Sequence, residues 1–318
     1  QFALTADQDI CPFFDPNCFT YTLSSNLSAL TAEPNLKGGD FSTMAYYPSG
    51  DFLLGIGMDP DPAGGKLRLT TYTTDFMHLT TLTGNGFFDA EGLCWVSGST
   101  FALIEERTGN GTEAYVSNAN LHYFDYEALP ATFFSGVDTT IFNVGVNYFE
   151  NDGPEGLAYD EDNDRFIFTR EGNEDNLSDA FDPDNSRSIG VFYVPTTGGS
   201  ASALFPAVEK LSAHFPNAAT RGADLTECFY DQGNKNLWIM SDRASALFVT
   251  DLSGNVLATM DVPLIQAEAM TMDLERGDLY VGGEPAQIMK YSYGNGDYDL
   301  VQTLSGDVSE IYKIIPDS

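Results

Sequence analysis

Apolar and polar positions alternate along this chain in short runs, such as 52–57, 100–104, 165–169 and 236–240, each bounded by Gly, Asn, Asp or Pro. That is the pattern of strands separated by turns. Helical periodicity is scarce. No apolar run approaches the ~18 residues that a membrane-spanning helix needs. The pattern predicts an all-β fold.

The runs also repeat. Six segments align: Asp40-Phe-Ser-Thr43, Phe88-Asp-Ala-Glu91, Asp152-Gly-Pro-Glu155, Asp224-Leu-Thr-Glu227, Ile265-Gln-Ala-Glu268 and Asp307-Val-Ser-Glu310. Five carry Glu at one position, where the first has Thr43. A compact residue precedes it each time: Ser42, Ala90, Pro154, Thr226, Ala267 and Ser309. Each of the first five leads into a short strand, a turn and a second strand, predicted at 52–57, 100–104, 165–169, 236–240 and 278–282. A second acidic position follows the first by 15 or 16 residues: Glu106 (beside Glu105), Glu171, Asp242 and Glu284, with Asp59 standing 16 after Thr43. The sixth unit is split. Its first strand falls at 308–315, and Phe2-Ala-Leu-Thr-Ala-Asp7-Gln8 matches Phe101-Ala-Leu-Ile-Glu-Glu106-Arg107 as its second. Strands three and four of that unit are predicted near 19–24 and 27–32.

Repeats of 40–50 residues, each holding several strands, are the signature of a β-propeller, and a blade shared between the termini closes the ring. The expectation is one domain over 1–318, a six-bladed propeller with blades starting near 40, 88, 152, 224, 265 and 307. Its last blade would be closed by N-terminal strands plus the C-terminal strand. Insertions are expected near 117–140 and 173–187.

In a propeller the first strand of each blade lies nearest the axis. Glu91, Glu155, Glu227, Glu268 and Glu310 would then converge on one mouth of the channel, with Asp7, Asp59, Glu106, Glu171, Asp242 and Glu284 close by. Carboxylates that near one another must take up a proton or a cation. Hard oxygen donors favour Ca²⁺ over Zn²⁺ or Cu²⁺. A second role is open beside this one: each Glu could accept hydrogen bonds from backbone N–H groups of the neighbouring blade and be purely architectural. The run Asp160-Glu-Asp-Asn-Asp164 is not a calcium loop of EF-hand pattern and fits a hairpin turn.

Charge narrows the partners. Fourteen Lys plus Arg against 47 Asp plus Glu give a net charge of −33, which excludes nucleic acid and an anionic membrane surface. A hydrophobic content of 42% is ample for a core. Cys11 and Cys18, close together in a Pro-containing segment, are expected to form a disulfide, while Cys94 and Cys228 in strand-like runs are expected to be buried thiols. Asn26, Asn110 and Asn176 begin glycosylation sequons. The chain starts at Gln1, as a processed protein would. Together these features predict a secreted, extracellular protein. Most of the 39 Phe and Tyr side chains, 23 and 16, fit packing between blades; Tyr123, Tyr126, Tyr291, Tyr293 and Tyr298 are the exposed candidates for glycan stacking.

Several segments resemble the SdiA-regulated family of bacterial β-propellers: Asp89-Ala-Glu91-Gly-Leu with Glu105-Glu-Arg107, Gly153-Pro-Glu155-Gly-Leu-Ala-Tyr-Asp160, Gln266-Ala-Glu268 with Leu279-Tyr-Val-Gly-Gly-Glu284-Pro285, and Met240-Ser-Asp242-Arg243 followed by Phe248-Val-Thr-Asp-Leu-Ser-Gly-Asn255. The likeness runs from about Asp40 to Lys290. It implies a propeller with calcium at a shared acidic site, and no settled activity. The family tends to have Lys-Glu where this chain has Arg170-Glu171. It is described with five blades; the sixth, split blade follows from the repeat alone.

Two functions remain in view. The leading one is a calcium-binding module that binds or assembles with a protein or glycan at the cell exterior. The alternative is a metal-dependent hydrolase, a lactonase, esterase or phytase-like enzyme working through the axial calcium. Against the alternative, His78, His122 and His214 lie at neither acidic position, and no Gly-x-Ser-x-Gly elbow is present. Arg107, Arg170 and Arg243 recur beside the second acidic position, where neutralising it is their simplest role.

Overall fold

The computed structural model describes residues 21–27, 40–59, 66–106, 116–148, 153–170, 190–206, 210–211, 225–242, 244–262, 264, 266–283, 287–293 and 302–304. Strand β1 (Tyr21–Leu27) precedes the ring. Blade one holds β2 (Asp40–Tyr47), β3 (Phe52–Asp59), β4 (Lys66–Thr73) and β5 (His78–Asn85). Blade two holds β6 (Ala90–Ser97), β7 (Thr100–Glu105), β8 (Val116–Asp125) and, after the short β9 (Thr132–Phe134), β10 (Thr140–Tyr148). Blade three holds β11 (Pro154–Asp160), β12 (Arg165–Arg170), β13 (Gly190–Pro195) and, after β14 (Gly199–Ser200), β15 (Ser202–Pro206). Blade four holds β16 (Leu225–Asp231), β17 (Asn236–Ser241), β18 (Ala246–Thr250) and β19 (Val256–Asp261). Blade five starts with β20 (Ala267–Asp273), β21 (Asp278–Gly283) and β22 (Gln287–Tyr293). Its fourth strand is β1, with β23 (Gln302–Leu304) alongside.

The ring therefore has five blades, not six. The innermost strands β2, β6, β11, β16 and β20 each touch the next, and β20 touches β2 directly. Tyr46 N donates to Thr271 Oγ1 across that seam at 2.9 Å. Phe41 and Met44 pack there against Ala269, Tyr280 and Ile288. No room is left for a sixth blade between them. Closure does use the N-terminal part of the chain, but through one strand: β1 runs antiparallel to β22, with Tyr21 opposite Tyr293 and Leu27 opposite Ile288, and carries β23 in parallel on its outer side. The segments 2–8 and 308–315, expected to begin the sixth blade, lie outside the described residues.

The five predicted second strands are all present, each reaching one or two residues further than expected. They are the most enclosed strands, because a neighbouring blade covers either face; β17 and β21 are buried throughout. Phe101, Leu103 and Phe124 of blade two pack on Ala45, Leu54 and Leu67 of blade one. Phe166 and Phe168 of blade three pack on Cys94 and Ala102 of blade two. Each such large apolar side chain contributes about 1.5–3 kcal/mol by leaving water. Two expected exposures are corrected by this packing: Tyr291 is buried, and Tyr123 is wedged between Phe142 and Phe166 with ring centroids at 5.4 and 5.2 Å. The expected insertion near 117–140 is mostly blade: it holds β8 and β9. Strand β9 adds in parallel to the edge of β5, and β14 adds to β10, so the outer edges of blades one and two are each covered by a strand from the next blade along.

One irregularity recurs in all five innermost strands. Each slips register by one residue against its second strand, at Ser42, Glu91, Thr226 and Glu268, and between Pro154 and Leu157 in β11, where Glu155 comes first. Such a bulge re-aims the side chains around it. Here it separates two sets: the bulge residues, and those that follow them, Thr43, Gly92, Gly156, Glu227 and Ala269.

Candidate functional site

The residues after the bulge form a hub on the axis. Glu227 is fully buried. One of its oxygens accepts from Leu157 N at 3.1 Å and from Cys228 N at 2.9 Å, and the other accepts from the Thr43 hydroxyl. Met270 N–H bonds to the same carboxyl group. Thr43 Oγ1 in turn accepts from Leu93 N at 3.1 Å. All five innermost strands are thus tied through one carboxyl and one hydroxyl. Burial pushes the Glu227 carboxyl well above the usual carboxylate range, and its hydrogen bonds, led by Thr43, act the other way. The other hub positions must be small. A β-carbon at Gly156 would collide with the backbone of Glu227 and Cys228, and one at Gly92 with Glu155 O and the Leu157 side chain.

The bulge residues form the mouth. Glu91, on β6, is held well above the usual carboxylate range by burial first, then by the charges of Asp89, Glu106 and Glu268; the Ser42 hydroxyl acts in the opposite direction. Carboxylates from blades two and five are therefore near enough for their charges to act on Glu91. The local backbone aims them. Asp89 and Gln266, each two residues before a bulge Glu, have φ of 48° and 50°. Left-handed backbone at a non-glycine residue is strained and clusters where geometry has a purpose. Asp89 O accepts from Glu106 N at 2.7 Å, drawing the two acids together.

Glu91, Glu155 and Glu268 take the bulge position. Glu227 and Thr43 stand one residue further on, so one aligned column holds two different sites. Glu155 and Glu106 are buried, and Glu106 Oε1 accepts from Gly153 N at 3.1 Å. Asp242 Oδ1 accepts from Ala267 N at 3.3 Å across the seam between blades four and five. Strand register places Glu106 and Asp242 in equivalent positions, with Met58 rather than Asp59 in that position of blade one. Glu171, Glu284, Glu310, Asp7, Arg107 and Arg243 lie outside the described residues. So do Cys11, Cys18, Asn110 and Asn176, while Asn26 sits within β1. Arg170 is buried, its guanidinium 4.3 Å from the Phe192 ring centroid. Cys94 and Cys228 are buried free thiols. Asp89 and Ser42 join the mouth without belonging to either acidic position of the repeat; the Asp-x-Glu spacing of 89–91 is the signal for the first.

Among the described residues, no three His, Cys, Asp or Glu side chains stand in metal-ligating geometry. The donor chemistry at the mouth nonetheless suits a hard cation: all donors are oxygens, and the like charges around Glu91 oppose its ionisation unless something positive joins them. Glu227 does not suit that part, since backbone amides and the Thr43 hydroxyl already occupy its oxygens.

A family model described as SdiA-regulated matches residues 33–292. Solved structures similar to the chain include a gluconolactonase from Xanthomonas campestris (12% identity, 86% of this chain and 97% of that chain, TM-score 0.43). Others are a nidogen/laminin complex (11%, 83% and 85%, TM-score 0.44) and a luciferin-regenerating enzyme (11%, 81% and 94%, TM-score 0.44). At these scores the likenesses carry no argument about activity.

Proposed function

Because the chain belongs to the SdiA-regulated family, we propose that it is a calcium-dependent propeller acting outside the cytoplasm, where it binds or assembles with a protein or glycan. The observation that supports this best is the crowding of Asp89, Glu106 and Glu268 around Glu91. A mouth so built gains most from a divalent cation with several oxygen ligands. Glu91, Glu106 and Glu268 would hold the ion, with Glu155 and Asp242 beside them; Glu171, Glu284 and Glu310 complete the expected set. Bound calcium would fix the relative placement of blades two and five and supply a cationic centre on an otherwise acidic face.

The hydrolytic alternative needs a base near that ion. His122 is buried in blade two, paired with Glu105 at 3.0 Å and with Thr139 at 3.2 Å, and His78 is exposed on β5. Of the described histidines, neither serves the mouth; His214 lies outside the described residues. Two experiments test the binding role. Equilibrium dialysis with elemental analysis should find bound calcium that is lost in Glu91→Gln/Glu268→Gln. A panel of glycans and extracellular proteins should show retention in calcium and release in EGTA. Calcium-dependent cleavage of esters or lactones by the wild type, absent from the same variant, would overturn the binding role in favour of hydrolysis.

A further inference from the structure

On the far side of the hub, the axial channel widens into a cavity of about 300 Å³ that faces the hairpin turns. We propose that this cavity is a second binding site, for a small organic cation: an ammonium group on a compact apolar body. It rests on residues other than those of the acidic mouth and does not depend on the calcium reading.

Three features specify the ligand. The inner end is apolar, lined by Met44, Leu93, Leu157 and Met270, one from each of four innermost strands. Water held there would lack partners, so an apolar group replaces it favourably. Towards the turns the lining becomes aromatic with Tyr46, Trp95, Tyr159 and Tyr230, and aromatic rings attract organic cations. At the lip, Gln232 Nε2 donates to Tyr159 O, which fixes the amide's orientation. Its Oε1 is then left shielded from solvent with no hydrogen-bond partner among the described residues. An unpartnered buried acceptor is costly, and a donor on the ligand would satisfy it.

Charge selects the donor. Glu161 and Glu275, both exposed, belong to the same lining, and no ion pair engages either among the described residues. The nearby Arg276 is already committed to Asp51 at 2.6 Å and Asp273 at 3.0 Å. The lip therefore offers an acceptor, rings and net negative charge, and repels carboxylates. At ~30 Å³ per water the space equals about ten waters, a volume at the small end of ligand sites. A single-ring amine has the right size.

The test is fluorescence titration with 2-phenylethylamine, using Trp95 as reporter, in ~0.15 M salt and EGTA so that diffuse attraction is screened and calcium is absent. Saturable binding is expected. It should be roughly tenfold or more tighter than that of 2-phenylethanol, and 3-phenylpropanoate should not bind. Gln232→Leu should weaken the amine about tenfold. Glu161→Gln/Glu275→Gln, altered only at exposed positions, should fold normally and weaken the amine several-fold while leaving the alcohol unchanged. No saturable signal, equal affinity for amine and alcohol, or amine binding indifferent to both sets of substitutions would overturn the proposal. Failure here leaves the calcium mouth untouched, since Glu91→Gln/Glu268→Gln is read by metal content.

Discussion

Glu91 and Glu227 share one column of the sequence repeat yet sit in regions of opposite character. At the hub, Glu227 is saturated: three backbone N–H groups and a hydroxyl converge on it. At the mouth, Glu91 faces three other carboxylates and is opposed by all of them. The difference is a single residue of register at the bulge. The same residue type becomes a structural tie when it points down the axis, and a site that calls for a counter-charge when it sits at the strand's entry. Charge alone would not separate these roles; the count of donors aimed at each carboxyl does.

Perturbing the hub should have the largest effect. Glu227→Leu leaves the N–H groups of Leu157, Cys228 and Met270 and the Thr43 hydroxyl without their acceptor inside the protein. At ~1–3 kcal/mol for each unmet buried group, the loss should reach about 4 kcal/mol or more. Chemical denaturation should show a large fall in midpoint, or no folded protein. Gly156→Ala comes next. Its β-carbon would meet the Glu227 and Cys228 backbone, and overpacking of this kind costs about 1–3 kcal/mol.

At the mouth the sign should reverse. Glu91→Gln removes a charge that its neighbours oppose, so in EGTA near neutral pH it should stabilise the protein. The pH dependence follows from the same shift. A carboxyl whose folded pKa lies above its unfolded value of about 4.5 holds its proton longer in the native state. Its contribution to stability is complete below that value and is lost as pH rises through the folded pKa. In EGTA, the wild type should therefore lose stability relative to Glu91→Gln as pH rises from about 4.5, and calcium should remove that difference. The smallest effect belongs to the exposed clasp between blades five and one: Asp51→Asn, which removes the exposed charge facing Arg276 and leaves Arg276 on Asp273, should cost no more than about 1 kcal/mol, and less in high salt.

Much of this architecture was legible in the sequence, for a physical reason. Strands such as 236–240 and 278–282 are covered on both faces and so appear as continuous apolar runs, and the turns before them carry the residues that turns require. Blade number was not legible. The match of 2–8 to 101–107 concerns a short alternating pattern that many strands share. Whether a blade exists is decided at the β2–β20 seam, where Phe41 and Tyr46 already meet Ala269 and Thr271. The offset between Glu91 and Glu227 was equally hidden. A bulge adds one residue without changing composition, so alignment on Glu placed Thr43 and Glu227 with the mouth. The small residues Gly92, Gly156 and Ala269 mark the true hub column, and they become informative once the axial crowding is known. The cavity beyond the hub was invisible because its lining comes from positions that look like ordinary core.

The most direct measurement is the calcium-induced shift in thermal unfolding of three proteins, wild type, Glu91→Gln and Glu227→Gln, each in EGTA and with calcium restored. A ligand that binds only the native state raises its melting temperature. The account predicts a reversible rise for wild type, a much smaller one for Glu91→Gln from a higher starting point, and an undiminished rise for Glu227→Gln from a lower one. A calcium response that survives in Glu91→Gln and disappears in Glu227→Gln would place the ion on the axis and contradict the division between mouth and hub.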